Sequence, residues 1–137
     1  MQQARRYEVH ELIGRGGMGE VYRGTALGPH GFAKPVAIKR LRRELARNSW
    51  FVERLVQEAK LLVALQHSNL VSVLDLGRTR DDVFMALEYV NGPDLGTLLA
   101  DGPLPADLAV YVVRAACEGV AFAHEHRHGA VVHADLS

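Results

Sequence analysis

Up to about residue 90 the apolar positions fall in short continuous or alternating runs, broken once by a stretch of helical period. Tyr7, Val9 and Ile13 mark a first strand and Val21-Tyr22-Arg23 a second, because β-branched and aromatic residues suit a pleated surface. Leu27 to Lys34, with Gly28, Pro29 and Gly31, has turn chemistry. Pro35 to Arg40 is a third strand whose proline stands at the start, where a missing N–H costs no ladder bond. Asn48 or Ser49 caps a helix from about Trp50 to Gln66, with Phe51, Leu55, Ala59, Leu62 and Val63 on one face. Leu70 to Leu76 and Val83 to Val90 read as two more strands around a polar turn, Gly77 to Asp82. Gly92 to Pro105 mixes turn with short helix. Pro105 or Ala106 then opens a long helix to about His126, striped by Leu108, Val112, Ala115, Gly119, Val120 and Ala123. Three strands, a helix and two strands predict a small antiparallel sheet with a helix packed on it, an α+β class.

Composition narrows this only a little. A chain of 137 residues holds one domain or part of one. Sixteen basic and sixteen acidic side chains cancel, so the net charge points to neither nucleic acid nor an anionic membrane. Cys117 is the single cysteine; it excludes an internal disulfide, fits a reducing compartment and, in an apolar stretch, reads as a buried inert thiol. No apolar segment follows the charges of the N-terminus as in a secretory signal. The most apolar region, Leu108 to Ala123, is interrupted by Arg114 and Glu118, so no membrane span is expected and a cytoplasmic location is.

The chemistry concentrates in Leu12 to Lys39. Gly14, Gly16 and Gly19 form G-x-G-x-x-G, which strips side chains from a backbone so that its amides can approach phosphate oxygens. A dinucleotide-binding fold uses the same triplet, but there the glycines open a helix. Here Glu20-Val21-Tyr22-Arg23-Gly24 follows, which favours strand and puts a glycine where a helix would be starting. Val36-Ala37-Ile38-Lys39 is apolar until it ends on one cation. The bland alternative is a glycine-rich hairpin beside an ordinary surface lysine.

G-x-G-x-x-G-x-V followed by V-A-I-K resembles the opening signature of the protein kinases. The resemblance implies a kinase small lobe over residues 1–90, with a five-stranded sheet and the C helix. Residues 91–137 are then the hinge and the start of a large lobe, through the family's D and E helices to its catalytic loop. Glu58 matches the C-helix glutamate, which in the family pairs with the strand lysine, here Lys39, and fixes it on the α and β phosphates of ATP. The competing reading is a solvated carboxylate near Arg54 or Lys60. Glu53, on another side of the helix, cannot share the role. By the same resemblance Ile13, Val21 and Ala37 line the nucleotide site with the three glycines. Leu87 is the gatekeeper, the backbone at Glu88 and Val90 holds adenine, and Asp94 either approaches ribose or substrate or caps the helix from Leu95 to Ala100.

The final segment, Val131-Val132-His133-Ala134-Asp135-Leu136-Ser137, resembles the start of H-R-D-L-x-x-x-N. Asp135 is then the base that orients and accepts the proton of a substrate hydroxyl. Ala134 replaces an arginine that grips phosphorylated activation loops, and Ser137 replaces a lysine, as in some bacterial members. The resemblance therefore implies a Ser/Thr protein kinase that transfers the γ-phosphoryl group of ATP to protein hydroxyls. The family's Mg²⁺ ligands fall past Ser137, so the 137-residue chain alone is expected to be inactive and to expose one side of its long helix to self-association. The alternative is a non-catalytic kinase-like module that binds nucleotide or a partner. His124, His126, His128 and His133 raise a metal reading, but only His124 and His128 share a helical face and no ligand set converges by spacing.

Overall fold

The computed structural model describes residues 6–17, 19–79 and 82–125. Five strands form one antiparallel sheet in the order β1-β2-β3-β5-β4: β1 (Arg6–Arg15), β2 (Gly19–Leu27), β3 (Ala33–Leu41), β4 (Val73–Arg78) and β5 (Val83–Glu88). Helix α1 (Arg43–Ala46) and helix α2 (Ser49–Val63) lie between β3 and β4 in the chain, and α3 (Leu95–Leu99) and α4 (Ala106–His124) follow β5. Asn48 caps α2, its Oδ1 accepting from the Trp50 N–H at 3.0 Å.

Several boundaries differ from the sequence expectation. The turn between β2 and β3 is shorter than Leu27 to Lys34, because both strands run on to pair Leu27 with Ala33 around a single 3₁₀ turn at Pro29–Gly31. Helix α2 stops at Val63 rather than Gln66, and β4 starts at Val73 rather than Leu70. Helix α1 carries no buried residue, so it leaves no apolar period by which to find it.

The alternation of β3 sorts the core. On one sheet face Leu41, Val83 and Met85 pack with Leu55 and Ala59 of α2. On the other, Val36, Ile38 and Ala86 pack beneath Tyr7, Tyr22, Ala26, Leu74 and Phe84. The two edge strands approach each other across this second face. The Tyr7 hydroxyl donates to Asp75 Oδ2 at 2.7 Å, and its ring meets Phe84 edge-on with centroids 5.4 Å apart. Fully burying side chains such as Ile38 and Met85 is worth about 1.5–3 kcal/mol each.

Two compact units result: the described residues up to Ala64 together with Ser72–Tyr89, and Leu65–Val71 together with the described residues from Val90 onward. Within the second unit, α4 lies against the 65–71 segment. A Cβ on Gly119 would stand 3.2 Å from the Asn69 carbonyl oxygen, and Asn69 Nδ2 donates to the Ala115 carbonyl at 2.9 Å. The expected stripe of α4 is partly correct: Gly119 and Ala123 are buried and Val112, Ala115 and Val120 half-buried, but Leu108 is exposed. Val110, Tyr111 and Val113 are more than 60% exposed, so the helix is not covered on both sides. Cys117 is exposed, not the buried thiol expected, because it turns away from the Gly119–Ala123 side. Among the described residues no helix is long and apolar enough to cross a membrane.

Candidate functional site

β1 and β2 are joined by the glycine segment. The Gly16 N–H donates to the Gly19 carbonyl at 2.9 Å, and Arg15 pairs with Glu20 at 3.0 Å. The Tyr22 hydroxyl donates to Glu20 Oε2 at 2.7 Å; this bond first, and then the nearby Arg15 and Arg40, hold the Glu20 carboxyl below the usual carboxylate range. The chain after Gly19 is strand to Leu27, so the helix required by a dinucleotide-type site is not there. A Cβ on Gly19 would lie 3.1 Å from the Arg40 carbonyl oxygen and 3.7 Å from Lys39 Cε, so the bare glycine lets the segment close down onto β3.

Lys39 stands directly across from Val21 on β2 and from Met85 on β5. Its Nζ donates to Glu58 Oε1 at 2.6 Å. The pairing follows from packing: Leu55 and Ala59, 4% and 1% exposed, bind α2 to the face of the sheet that carries Met85, and this brings Glu58 to the lysine. Ala59 is small, which allows the close approach. The solvated alternative for Glu58, with Arg54 or Lys60 as partner, is not what forms.

Ala37 is paired with Leu87, and Leu87 packs at the margin of the α2 core. Gly14 is paired with Val21. Ile13, on β1, is exposed. Gly14, Gly16, Gly19, Val21, Ala37, Lys39, Glu58 and Leu87 thus all belong to the sheet, its glycine turn and its one long helix. The Glu88 N–H is taken by the Ser72 carbonyl at 2.9 Å, so its backbone can offer a ligand the carbonyl only. Val90 and Asp94 belong to the second unit. Asp94 is the N-cap of α3: Oδ1 accepts from the Thr97 N–H at 2.7 Å, and the Thr97 side chain first and then this backbone bond lower its pKa. His133, Ala134, Asp135 and Ser137 lie outside the described residues, as do His126 and His128. Among the described residues no three His, Cys, Asp or Glu side chains stand together as a metal site.

One residue of the site carried no signal in the sequence. Arg42 Nη2 donates to the Gly16 carbonyl at 2.7 Å, a contact that spans β3 and the glycine turn. It stands in a basic run, Arg40-Leu41-Arg42-Arg43, where nothing separates it from solvated neighbours.

The profile of the family described as protein kinase domain matches residues 7–137. The serine/threonine-protein kinase PkaB of Streptomyces coelicolor is 41% identical over 132 residues, covering 96% of this chain and 30% of PkaB. The tyrosine-protein kinase MasK of Myxococcus xanthus is 35% identical over 143 residues, covering 96% of this chain and 22% of MasK. Among solved structures, a double mutant of the Mycobacterium tuberculosis PknI kinase domain matches with a TM-score of 0.74 and 28% identity, over 95% of this chain and 50% of that one. The chain therefore spans under a third of the length of these curated relatives and half of that solved kinase domain.

Proposed function

This chain belongs to the protein kinase family, and we propose that it is the nucleotide-holding part of a Ser/Thr protein kinase domain that uses ATP as phosphoryl donor and protein hydroxyls as acceptors. The observation that carries the reading is the 2.6 Å pair between Lys39 and Glu58 beside the glycine turn. An unheld ammonium on a four-carbon stem loses rotamer entropy when it binds a phosphate, and a carboxylate that already fixes it removes that loss from the binding step. Lys39 then neutralises charge on the α and β phosphates while Glu58 orients it. The unsubstituted backbone at Gly17 offers its amide to the phosphate oxygens; a Cβ there would meet nothing within 4 Å, so that side is open to a ligand.

Val21, Ala37 and Leu87, together with Ile13, supply the apolar wall for adenine. The backbone at Glu88 and Val90 contributes the polar contacts of the base. Asp94 keeps one carboxylate oxygen beyond its cap bond and can serve ribose or a peptide substrate. Asp135 accepts the proton of the substrate hydroxyl in the complete domain. Mg²⁺ in this family would supply charge neutralisation at the transferring phosphate.

Titration of the chain with ATP tests the reading. Wild type is expected to bind and Lys39→Met to bind at least about tenfold more weakly, the loss of one charged hydrogen bond at a phosphate. Equal binding by the two would remove Lys39 from the site. The second reading, a non-catalytic module that meets a partner or a second copy of itself, is favoured by one feature, the exposed Val110, Tyr111 and Val113 of α4. It gains if the chain binds no nucleotide and its sedimentation depends on concentration.

A further inference from the structure

The bond from Arg42 to the glycine turn has a consequence for how the phosphates are held. Arg42 follows the buried Leu41, and its own carbonyl accepts from the N–H groups of Leu45 and Ala46 at 2.9 and 3.0 Å. Its backbone is therefore fixed on one side by the core and on the other by the first turn of α1. The next link is short, since the Asn48 N–H donates to the Leu45 carbonyl at 3.0 Å and Asn48 caps α2. One guanidinium thus ties the glycine turn to the frame that carries Glu58.

The Arg42 side chain is not placed as stability alone would place it. Its Nε is shielded from solvent and has no hydrogen-bond partner among the described residues, an unfavourable arrangement for a charged donor. What the arrangement achieves is the charged bond at Nη2 to a backbone oxygen of a segment that the Gly16–Gly19 bond and the Arg15–Glu20 pair also help to close. Around it Arg15, Gly17, Glu20, Glu44 and Leu45 border a recess of about 370 Å³, so the turn has room to shift if released.

We propose that Arg42 is a positioning residue for phosphate binding: by holding the Gly16 carbonyl it sets where the amides of the glycine turn stand relative to Lys39. The proposal rests on the nucleotide-binding reading above. It predicts selectivity in what is lost, because a displaced turn weakens contacts to phosphates and leaves the adenine wall intact.

The experiment compares wild type, Arg42→Met, Arg42→Lys and Lys39→Met in the full 137-residue chain. Amide exchange over residues 14–20 and titrations with ATP and with adenosine are measured on each. In Arg42→Met the 14–20 amides are expected to exchange roughly tenfold faster and ATP to bind about five- to tenfold more weakly, the scale of one charged hydrogen bond, while adenosine binding changes less than about twofold. Arg42→Lys, which keeps a charged donor, recovers part of the ATP affinity. Unchanged exchange in Arg42→Met overturns the proposal, as does an equal loss of ATP and adenosine affinity. ATP binding that depends on Lys39 but not on Arg42 overturns it while sparing the nucleotide reading; no effect of Lys39→Met on ATP overturns both.

Discussion

The Lys39 ammonium and the Glu58 carboxylate meet at 2.6 Å, yet their side chains remain 30% and 39% exposed. A pair this open to water contributes about 0–1 kcal/mol to stability, so its tight geometry is better explained by what it prepares than by what it holds together. Glu58→Gln is accordingly expected to move the thermal midpoint by less than about 4 °C while weakening ATP binding severalfold, from lost orientation of the lysine. Calorimetry and a nucleotide titration on the same protein separate the two; a large loss of stability with intact binding would make the pair structural.

The interior joint between sheet and helix should respond in the opposite way. Met85 has no exposed surface and lies in the cluster with Leu41, Leu55 and Ala59. Met85→Ala is expected to cost about 2–5 kcal/mol in urea unfolding, the transfer term plus the cavity left behind. A loss under 1 kcal/mol would mean that α2 settles into the space.

Gly24 sits on β2 with little room toward both neighbouring strands. A Cβ there would be 2.7 Å from the Glu8 carbonyl oxygen on β1 and 2.9 Å from Cγ1 of Ile38 on β3. Both contacts are shorter than real carbon atoms accept, and the first is with backbone that cannot rotate away. Gly24→Ala should destabilise by about 1–3 kcal/mol, as overpacking does, despite alanine's better intrinsic fit to a strand. Gly17→Ala, with open space at its Cβ, is the control and should leave unfolding unchanged.

Asp94 gives the protein a local acid sensitivity. The Thr97 side chain first, and then the Thr97 backbone N–H bonded to its carboxylate, hold the folded pKa below the ordinary aspartate value. The ionised cap therefore stabilises α3 fully above the unfolded pKa, and that contribution is lost as pH falls through the lower, folded one. Amide protection in α3 should decline across that acid window in wild type. Asp94→Asn keeps a capping oxygen without the charge and should abolish the dependence. An identical decline in both would assign it elsewhere.

Much of this was legible beforehand because the signals were local. Lys39 ends an apolar strand, and Glu58 lies in a helix whose Leu55, Ala59 and Leu62 mark its buried side, so their meeting could be expected from period and motif together. Contacts that depend on chain reversal left no such trace. Arg42 reaches Gly16 only because β3 ends beside the glycine turn, and its sequence neighbours Arg40 and Arg43 look the same as it does. The four-residue α1 has no apolar stripe, and the β2–β3 turn tightened because the ladder runs on through Leu27 and Ala33 and leaves the reversal to Gly28, Pro29 and Gly31. Cys117 misled because a helix rich in alanine and valine all round does not reveal which side is covered.

The 65–71 segment, which stands between α2 and β4 in chain order, carries a lesson for anyone who would build with this protein. Asn69 lies on α4, close enough that a side chain at Gly119 would collide with it, and Asn69 donates to Ala115. The first compact unit is thus discontinuous in the chain, interrupted by seven residues, 65–71, whose contacts belong to the second. A cut after Tyr89 would not free a clean module. It would leave Asn69 without the carbonyl it serves, so a portable module made from the first unit needs a redesigned connector there, not merely a new terminus.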